Sequence, residues 1–577
     1  MNRPVPNNES TDPARVAARA AADLRSQRLT FAFAMAVLAL IWFGNLQYRL
    51  LSDPDEGRYA EIPREMLASG DWLAPHLSGI QYLEKPPLQY WATAVLYRAF
   101  GVHPWVSRLY NSGLAFLLTV LVWQAGRRLY GAAAGRLAAL VLASGVLFYV
   151  LAHVNTLDVG LTFWLSAGIL ALIGWNGSEK RRASLWVAWL CLGLAVLQKG
   201  LVGVVLPGFA LALYMLVQRD WALIRRLCVI RGMALVAAIN LPWWWLMQRR
   251  NPGFVDWFFV HEHYTRFTTT EHGRSEPWWY FGALLLVGLL PWLLPTLRGA
   301  LQAWRDERER ARDGSLAPGR LLLVWAAAVF IFYSPSGSKL APYILPMMPP
   351  LALLAGRQLA GIDAQRIGLT SSLVTTLLLA ALLLALPAIG GSLSPPADQR
   401  AGYAQIARWG FGGGVLLAMA TLQAWVRSRF GVESPATRRE RAVALLAIGT
   451  TGALALLSNG TNAIETWRGA PQITAALRAQ WQPDSRLYCV DTYPQSVIFA
   501  LAHTCVSVRH HGELETQFDD GERNHLDTLA EFQAAWQSDA RPLAVLDPQA
   551  WSELQQQGFQ ARTLFSNPYA VVIARTP

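Results

Sequence analysis

The sequence predicts a mostly α-helical membrane protein that crosses the bilayer many times and ends in a smaller α/β domain. Of its 577 residues, 53% are hydrophobic and only 15% are charged, and the apolar residues fall in long blocks. Many of the 25 Trp flank these blocks, where an amphipathic ring suits the lipid headgroup region. From about Asn459 onward, the composition is instead that of a soluble domain.

Blocks of roughly 15 to 23 apolar residues predict thirteen membrane-spanning helices. They lie near residues 30–48, 107–126, 137–152, 159–175, 184–198, 202–217, 232–248, 278–297, 320–333, 342–356, 367–389, 406–426 and 442–458. Residues 1–28 are basic and contain no small-residue cleavage site after a short apolar region, which indicates a retained anchor with a cytoplasmic N-terminus. Residues 29–458 are therefore the predicted transmembrane domain.

The basic residues predict how these helices are oriented. With a cytoplasmic N-terminus, strict alternation places 28 of the 50 Lys and Arg on the cytoplasmic side, and about half as many in the opposite loops. The formal charge of +12 therefore reflects the positive-inside bias of a membrane protein and not a nucleic-acid partner. The long first outer loop, residues 49–106, and the soluble domain, residues 459–577, then face the extracytoplasmic side.

Residues 459–577 predict an α/β domain because short β-rich runs alternate with helical stretches. The runs are Arg486 to Asp491, Cys505 to Arg509, Pro542 to Leu546 and Ala570 to Ala574, and the helices are Gln495 to Ala502 and Leu526 to Trp536. Cys489 and Cys505 both fall in this domain. A disulfide and a pair of buried reduced thiols are both compatible with their positions.

Ionisable residues at the outer ends of the spans are the candidate functional residues, because charge at membrane depth is costly without a partner or a task. They are Asp53, Asp55, Glu56, Arg58, Glu84, Lys85, Asp158, Lys199, His261, Glu262, His263, Arg266, Arg274 and Lys339. All of them gather on the same predicted side of the membrane. The sequence therefore predicts a site on the extracytoplasmic face.

The carboxylates of this set allow two interpretations. Asp53 and Asp55 follow the first span, where a carboxylate can orient an acceptor, accept a proton or stabilise positive charge at a reacting carbon. The alternative is an N-cap for a helix that begins near Glu56. Asp158, at the start of the fourth span, allows the same two interpretations.

The cations of this set suit a phosphate. Lys85 precedes two prolines and Lys199 precedes a glycine, so each offers a point charge at a helix boundary or snorkels to the headgroups, and Lys85 is the stronger candidate. Residues 334–339, SPSGSK, combine hydroxyls and turn amides with Lys339, and Tyr343 follows, without the spacing of a nucleotide loop. The triplet His261, Glu262 and His263 offers ligands for a divalent metal without a known ligand spacing.

Three motifs resemble those of the lipid A aminoarabinose transferases, a family of the GT-C superfamily, which also includes the protein O-mannosyltransferases. The motifs are DPDEGRYAEIPREMLASGDW and YLEKPPLQYW in the first outer loop and SGSKLAPYILP later in the chain. The resemblance covers the membrane region. It extends in architecture, thirteen spans followed by a small outer α/β domain, over the whole chain.

The resemblance implies an inverting glycosyltransferase of the bacterial inner membrane. It would move 4-amino-4-deoxy-L-arabinose from undecaprenyl phosphate to a lipid A phosphate on the periplasmic face, confer polymyxin resistance and need no obligatory cofactor. Asp55 is the predicted functional centre, supported by Asp158. The donor phosphate would bind Lys85, Arg58 and Tyr343, to which the SPSGSK loop adds Lys339. The predicted substrate-binding residues are Asp53, Glu84, Tyr82 and Tyr59.

Two other function classes stay open at this stage. A polyprenyl-phosphate hexose transferase that acts on protein or polysaccharide would share the topology and Asp55, but would use a neutral sugar and a hydroxyl acceptor. A transporter for a lipid-linked sugar needs a site reached from both faces of the membrane. The confinement of the polar residues to one side disfavours it.

The topology is testable with reporter fusions. A reporter that is active only in the cytoplasm should work after Gly177 and after Asp313, whereas one that is active only outside should work after Asn459. A cytoplasmic signal at Asn459 would overturn the thirteen-span map and would place the soluble domain on the wrong side.

Overall fold

The computed structural model describes residues 13–258, 276–306, 315–361, 368–392, 395–431, 433–510 and 524–576. Helices dominate these ranges. Each of the thirteen apolar blocks overlaps a helix, and the C-terminal region carries a sheet. The predicted fold class is thus confirmed at the level of a helical membrane bundle with a sheet-containing C-terminal domain.

The first part of the chain supplies the helices that surround the long first loop. They are α1 (Pro13–Gly44), α2 (Asp55–Ser69), α3 (Leu88–Phe100), α4 (Pro104–Tyr130), α5 (Ala132–Ser144), α6 (Val146–Ala152), α7 (Leu157–Trp175), α8 (Arg182–Lys199), α9 (Val202–Gln218), α10 (Leu223–Arg226), α11 (Val229–Arg250) and α12 (Phe254–Asp256). The helices α2 and α3 lie within the first loop.

The second part of the membrane region continues the bundle. Its helices are α13 (Tyr280–Gly288), α14 (Leu293–Asp306), α15 (Pro318–Tyr333), a 3₁₀ helix (Ala341–Met347), α16 (Met348–Ala360), α17 (Gly368–Ser392), α18 (Arg400–Phe430) and α19 (Pro435–Gly460). One extended apolar core joins α1, α4, α5, α7, α15, α16 and α19.

Seven helices of the described ranges are individually long and apolar enough to cross a membrane, and two bent pairs raise the number to nine. In the pairs, α5 and α6 meet at 61°, and α13 and α14 meet at 106°. The blocks at 137–152 and 278–297 were predicted as continuous spans, so these two predictions were wrong in detail. Pro291 lies in the second break, where its ring denies the helix a backbone N–H. The chain is a multi-pass membrane protein.

The C-terminal region forms a mixed sheet covered by helices. Its elements are α20 (Asn462–Arg468), α21 (Ala470–Gln480), β3 (Ser485–Val490), α22 (Gln495–Leu501), β4 (Val506–Val508), β5 (His525–Leu526), α23 (Leu529–Ser538), β6 (Arg541–Leu546), α24 (Pro548–Gln556), β7 (Arg562–Ser566) and β8 (Val571–Ala574), after a hairpin of β1 (His76–Leu77) and β2 (Ile80–Gln81) in the first loop. The strand order is β5-β4-β3-β6-β8-β7, with β8 antiparallel to β6 and β7. All four predicted strands are present.

A shared apolar core joins the first loop to this C-terminal domain. Tyr59 and Ile62 of α2 belong to the same buried cluster as Leu487 of β3 and Ile498 of α22. The contact is close, because a Cβ atom added at Gly57 would lie 2.5 Å from the backbone nitrogen of Ser496. Glycine is therefore the residue that lets α2 lie against α22.

The hairpin of the first loop makes a second contact with the C-terminal domain. Its turn, Ser78-Gly79, has positive φ at both residues, as a tight hairpin turn requires. The hydroxyl of Ser78 accepts hydrogen bonds from the Tyr493 hydroxyl at 2.6 Å and from the backbone N–H of Cys505 at 3.2 Å. Cys489 and Cys505 are buried and are not joined by a disulfide, so of the two alternatives the structure shows reduced thiols.

The buried ion pair of Glu56 and Arg108 joins the first loop to the bundle. One carboxylate oxygen of Glu56 accepts from Arg108 Nε at 2.8 Å and from the backbone N–H of Asn155 at 3.1 Å. The other accepts from Nη2 of Arg108 and of Arg49, both at 2.9 Å. Arg108 also donates to the backbone carbonyls of Arg49 and Leu50, both at 2.8 Å. We name the helix ends around Glu56 the loop end.

The opposite ends of the helices, which we name the far end, have an ion pair of their own. Arg136 of α5 donates to both carboxylate oxygens of Glu440 of α19, at 2.8 and 2.7 Å. It also donates to the side-chain oxygen of Gln27 of α1 at 2.8 Å, and Gln27 donates to the Thr437 hydroxyl at 3.1 Å. Three helices that are distant in sequence are thus joined at the far end.

Glu56 is ionised at any ordinary pH. Burial alone would raise the pKa of its carboxyl group, but the charges of Arg108 and Arg49 outweigh burial and hold the pKa at about 2, below its ordinary value of 4.5. Because the folded-state pKa is depressed, the stabilisation that Glu56 provides is complete above about pH 4.5 and is lost only as the pH falls toward 2.

Substitution of Glu56 tests the importance of this ion pair. Glu56→Gln leaves the Arg108 guanidinium buried without its counter-ion, which costs about 3–5 kcal/mol. We expect the purified variant to melt well below the unchanged protein or to fail to accumulate. Glu179→Gln is the control, because that carboxylate is 82% exposed beside Arg182, and it should melt like the unchanged protein. Equal melting of both variants would contradict the role of the pair.

Candidate functional site

The site begins at the N-terminus of α2, directly after the first span. Asp55 and Glu56 lie in the first turn of this helix, where negative charge interacts favourably with the helix dipole. Pro54 occupies the N-cap position, and no side chain caps the helix. Because neither Asp53 nor Asp55 acts as a capping residue, the N-cap interpretation of these two carboxylates was wrong.

Arg58 connects Asp55 to the aromatic residues of the first loop. Its Nη2 donates to Asp55 Oδ1 at 2.5 Å, and its Nη1 donates to the Tyr82 hydroxyl at 3.5 Å. Its guanidinium carbon lies 5.3 Å from the centre of the Tyr59 ring and 5.8 Å from that of Tyr82. Arg58 is buried, whereas the Asp55 side chain remains 46% exposed. The solvent-accessible carboxylate of Asp55 is therefore held by an ion pair with a buried arginine.

A hydrogen-bonded chain continues from Tyr82 to Lys85. The Tyr82 hydroxyl donates to Glu84 Oε2 at 3.2 Å, and Lys85 Nζ lies 3.5 Å from the same oxygen. Burial raises the pKa of Tyr59 and of Tyr82 above the ordinary phenol value, so both hydroxyls keep their protons. Two oppositely charged pairs, joined by one phenol, thus form a single chain that we name the loop cluster: Asp55, Arg58, Tyr82, Glu84 and Lys85.

Asp158 belongs to a second cluster, formed by the bundle. It lies in the first turn of α7, whose N-cap is Thr156 without a side-chain cap, and it forms an ion pair with Lys199 at the end of α8. Lys199 Nζ lies 5.2 Å from the centre of the Tyr343 ring, and Tyr343 packs on Tyr333 at 4.9 Å between ring centres. We name these residues the bundle cluster. The N-cap interpretation of Asp158 was wrong as well.

The loop cluster and the bundle cluster meet at Tyr59. The hydroxyl of this buried residue is within electrostatic range of Asp55 and Glu84 of the first loop and of Asp158 of the bundle. Its ring stacks on Tyr90 with 6.3 Å between ring centres. The predicted residues Asp55, Arg58, Tyr59, Tyr82, Glu84, Lys85, Asp158 and Tyr343 therefore lie in one region at the loop end.

Four buried amide side chains near this region were not predicted from the sequence. Gln89 donates to Asn155 Oδ1 at 3.0 Å and accepts from Gln198 at 2.9 Å, and Asn111 donates to Asn155 at 3.1 Å. All four side chains are fully buried. Asn111 and Gln198 fall inside predicted apolar blocks, where a polar amide is the sequence signal that indicates them, whereas Gln89 and Asn155 lie in predicted loops and have no such signal. The network links α3, α4 and α8, which carry or flank both clusters.

Lys199 was also undervalued. The sequence favours Lys85 over Lys199, because a lysine before a glycine at a helix end is compatible with snorkelling to the headgroups. In the structure it joins Asp158 to Tyr343, two residues that were predicted separately. Gly200, with φ of 89°, ends α8 directly after Lys199 and releases the chain toward α9.

Two predicted site residues, Asp53 and Lys339, form hydrogen bonds with groups outside the two clusters. Both carboxylate oxygens of Asp53 accept hydrogen bonds from Ser496 of the C-terminal domain, at 2.7 and 2.6 Å. Burial in this contact raises the pKa of Asp53 to about 7, although the bonds from Ser496 oppose the shift. The Lys339 ammonium donates to the backbone carbonyls of Ser336 and Glu276, at 2.8 and 3.1 Å. Their roles toward a substrate stay predictions.

The predicted metal ligands His261, Glu262 and His263 lie outside the described residues. Among the residues that the structure describes, no group of three or more His, Cys, Asp or Glu side chains is placed to hold a metal ion. The charged groups of the site are instead the cations Arg58, Lys85 and Lys199, arranged beside carboxylates and phenols. Cations beside carboxylates suit a ligand that has both a phosphate and a positively charged group.

The chain matches two family models. The model described as dolichyl-phosphate-mannose-protein mannosyltransferase matches residues 28–258, and the model described as aminoarabinose transferase C-terminal domain matches residues 473–575. The first match contains both clusters except Tyr333 and Tyr343. The second covers nearly all of the sheet-containing domain.

Curated relatives carry a transferase name. An "undecaprenyl phosphate-alpha-4-amino-4-deoxy-L-arabinose arabinosyl transferase 1" from Sodalis glossinidius is 38% identical over 327 residues, which is 54% of this chain and 55% of the relative. A protein of the same name, without the final number, from Pseudomonas aeruginosa (strain UCBPP-PA14) is 36% identical over 343 residues, 58% of this chain and 60% of the relative. The chain thus spans somewhat more than half the length of these relatives.

Solved structures extend the similarity to nearly the whole chain. The crystal structure of ArnT from Cupriavidus metallidurans bound to undecaprenyl phosphate has a TM-score of 0.84 and 31% identity, and it covers 95% of this chain and 99% of its own. The apo form of the same protein gives a TM-score of 0.82 with 31% identity, and covers 95% and 98%. With this identity over nearly the full length of a solved member, the chain belongs to the ArnT family of aminoarabinose transferases.

Proposed function

We propose that this chain transfers 4-amino-4-deoxy-L-arabinose from undecaprenyl phosphate to a phosphate of lipid A. The observation that supports the proposal is the loop cluster. In it, the accessible carboxylate of Asp55 forms an ion pair with Arg58, and the chain of contacting side chains continues to Lys85. The names of the curated relatives, and the carrier lipid in the solved ArnT structure, support the choice of donor.

The reaction exchanges one phosphate for another at the anomeric carbon. An oxygen of the acceptor phosphate forms the new bond to this carbon from the face opposite the carrier, so the configuration inverts. The bond between the carbon and the carrier phosphate oxygen breaks, and undecaprenyl phosphate leaves with the electron pair. Because the acceptor is already an anion, no proton has to be removed.

The cations stabilise the leaving phosphate. Its charge grows as the bond to the sugar breaks, so a cation that contacts it binds the transition state more tightly than the ground state. Lys85 and Arg58 of the loop cluster would take this role, and Lys199 with Tyr343 would add to it from the bundle cluster. These side chains provide positive charge for the leaving phosphate, so the proposed reaction uses no obligatory metal ion.

Asp55 would interact with the sugar. Its exposed carboxylate can pair with the amine of aminoarabinose and with the positive charge that develops at the anomeric carbon, while Arg58 fixes its orientation. Asp158, paired with Lys199 in the bundle cluster, would hold that lysine in place. An acceptor hydroxyl, as in a hexose transferase, would instead require Asp55 to act as a base.

We further propose the thirteen-span topology, with the loop end and residues 459–577 in the periplasm of a bacterium and the membrane as its inner membrane. The contacts of the bent pair α13 and α14 support the count. Lys339 after α15 donates to the carbonyl of Glu276 before α13, and Arg320 at the start of α15 donates to that of Trp304 in α14 at 3.1 Å. The two ends of the pair therefore lie near the two ends of α15, as the ends of one interrupted span would.

Asp55→Asn tests the proposed reaction. The substitution removes the charge from an accessible side chain, so we expect transfer to fall by at least about 100-fold while the melting temperature stays near that of the unchanged protein. The assay uses purified protein with EDTA, carrier-linked aminoarabinose and lipid A, and mass spectrometry detects the product. Asp484→Asn, at an exposed carboxylate of the C-terminal domain, is the matched control.

The outcomes of this experiment are distinct. Wild-type transfer by Asp55→Asn would refute the role of the residue. If the unchanged protein itself forms no product from these substrates, but transfers a neutral hexose to a hydroxyl acceptor, the proposed substrates are wrong. A requirement for added Mg²⁺ or Mn²⁺ would contradict the metal-independent reaction.

Lys85 tests the binding of the donor phosphate. Loss of one charge-assisted contact of this kind costs about 2 to 4 kcal/mol, or roughly 30- to 1000-fold in rate. Lys85→Ala should lower transfer by that factor and weaken donor binding, whereas Lys85→Arg should keep part of the activity because the charge remains. Lys180→Ala removes a lysine from the short helix Glu179–Arg181, far from both clusters, and should transfer like the unchanged protein.

A lysine that only snorkels to the headgroups makes a different prediction. In that case Lys85→Ala and Lys85→Arg would both behave like the unchanged protein in detergent with purified donor. The phosphate would then have to bind elsewhere, with Lys199, Lys339 and Tyr343 as the remaining candidates.

A further inference from the structure

A cavity of about 820 Å³ lies between α17, α18 and the start of α19. Its walls are apolar and include Leu373, Leu377, Leu422 and Trp425. Several wall residues also face outward, since Leu377 is 57% exposed and Leu422 is 61% exposed. Exposed leucines on helices of this length face the lipid of a membrane. The cavity is therefore open toward the hydrocarbon of the bilayer.

The rim of the cavity is basic. Arg429, Arg438 and Arg439 line it, and no Asp or Glu is among its lining residues in the described chain. Two nearby carboxylates already have partners, because Glu440 binds Arg136 through both oxygens and Glu433 forms an ion pair with Arg441. Each of these carboxylates is thus paired with an arginine that does not line the cavity, and although Glu440 is within electrostatic range of Arg439, the rim keeps a net positive charge.

The two arginines of α19 line the cavity, and the hydrogen bonds of their side chains within the described residues go to backbone carbonyls. Arg438 donates to the carbonyl of Arg429 at 3.2 Å, and Arg439 donates to those of Ala360 and Gly361, at 3.4 and 3.2 Å. In both arginines the Nε atom is buried and has no hydrogen-bond partner among the residues that the structure describes. Arg439 is only 6% exposed. Because Nε has no accessible surface, a ligand in the cavity contacts these arginines through their terminal nitrogens.

This cavity is remote from the two clusters of the candidate site. The N-terminal part of α18 lies beside the C-terminal domain, where Tyr403 stacks on Trp467 at 5.2 Å between ring centres. The 26 residues from Tyr403 to Arg429 then extend roughly 39 Å at the rise of an α-helix. The cavity therefore opens at the far end, in the leaflet opposite the loop end.

We propose that this cavity binds an anionic phospholipid of the surrounding membrane. The acyl chains lie along the exposed leucines of α17 and α18, and the headgroup phosphate accepts from Arg429, Arg438 and Arg439. Planar guanidinium groups bind phosphate oxygens through paired, charge-assisted hydrogen bonds. A basic rim directly beside apolar walls matches a molecule that joins an anionic head to hydrocarbon tails.

Native mass spectrometry of the full-length protein in detergent tests this site. The probes are phosphatidylglycerol and phosphatidylcholine with identical acyl chains. We expect the unchanged protein to retain phosphatidylglycerol preferentially, and Arg429→Gln with Arg438→Gln to weaken that binding roughly 30-fold. The control is Arg181→Gln with Arg182→Gln, the arginine before α8 and the first residue of α8. Neither lines the cavity, so this variant should bind like the unchanged protein.

A second variant separates binding from folding, because Arg438 also contacts the end of α18. Val374→Trp fills the cavity from a position that is 51% exposed, so it should lower phosphatidylglycerol binding while the melting temperature in lipid-free detergent stays unchanged. Equal retention of the two lipids would overturn the proposal. Full phosphatidylglycerol binding by Val374→Trp, or by the double arginine variant, would overturn it as well.

Discussion

The ion pair of Glu56 and Arg108 is the constraint on which the loop end depends. A buried carboxylate that accepts from two arginines and two backbone N–H groups is fully satisfied, and loss of any partner would leave charge in a medium that solvates it poorly. The pair fixes the start of α2 relative to α4 and to the segment before α7. Asp55 immediately precedes Glu56, so the position of the accessible carboxylate follows from that of the buried one.

Two adjacent acidic residues thus serve opposite purposes. Glu56 is inaccessible and its pKa is depressed to about 2, which makes it a structural anion, whereas the Asp55 side chain is 46% exposed. Their partners Arg108 and Arg58 are both buried. An accessible carboxylate held by a buried arginine, beside a fully buried ion pair, is an arrangement that keeps a reacting group in place without exposing its support to solvent.

The sequence predicted much of this, and the part that it missed has a physical reason. Apolar blocks locate the helices, because a segment that crosses lipid has to be apolar. Asp55, Arg58, Glu84 and Lys85 lie within one loop, so their short separation in sequence already suggests that they are close in space. The pairing of Asp158 with Lys199 depends on how α7 and α8 pack, and the contact of Asp53 with Ser496 spans 443 positions along the chain. Such contacts leave no periodic signal. The break at Pro291 was visible in the sequence but was obscured by apolar neighbours.

The core shared by α2 and the C-terminal domain has a consequence for how members of this family can be recombined. Gly57 and Ser496 touch without room for a methyl group between them, and Ser78 of the hairpin is held by Tyr493. The first loop and the C-terminal domain are distant in sequence but share one apolar core. A chimera that took its C-terminal domain from another member would therefore inherit half of an interface, and the mismatch would reach α2 and the charged residues at its start. An exchange of the C-terminal domain therefore has to include α2 and the hairpin that pack against it.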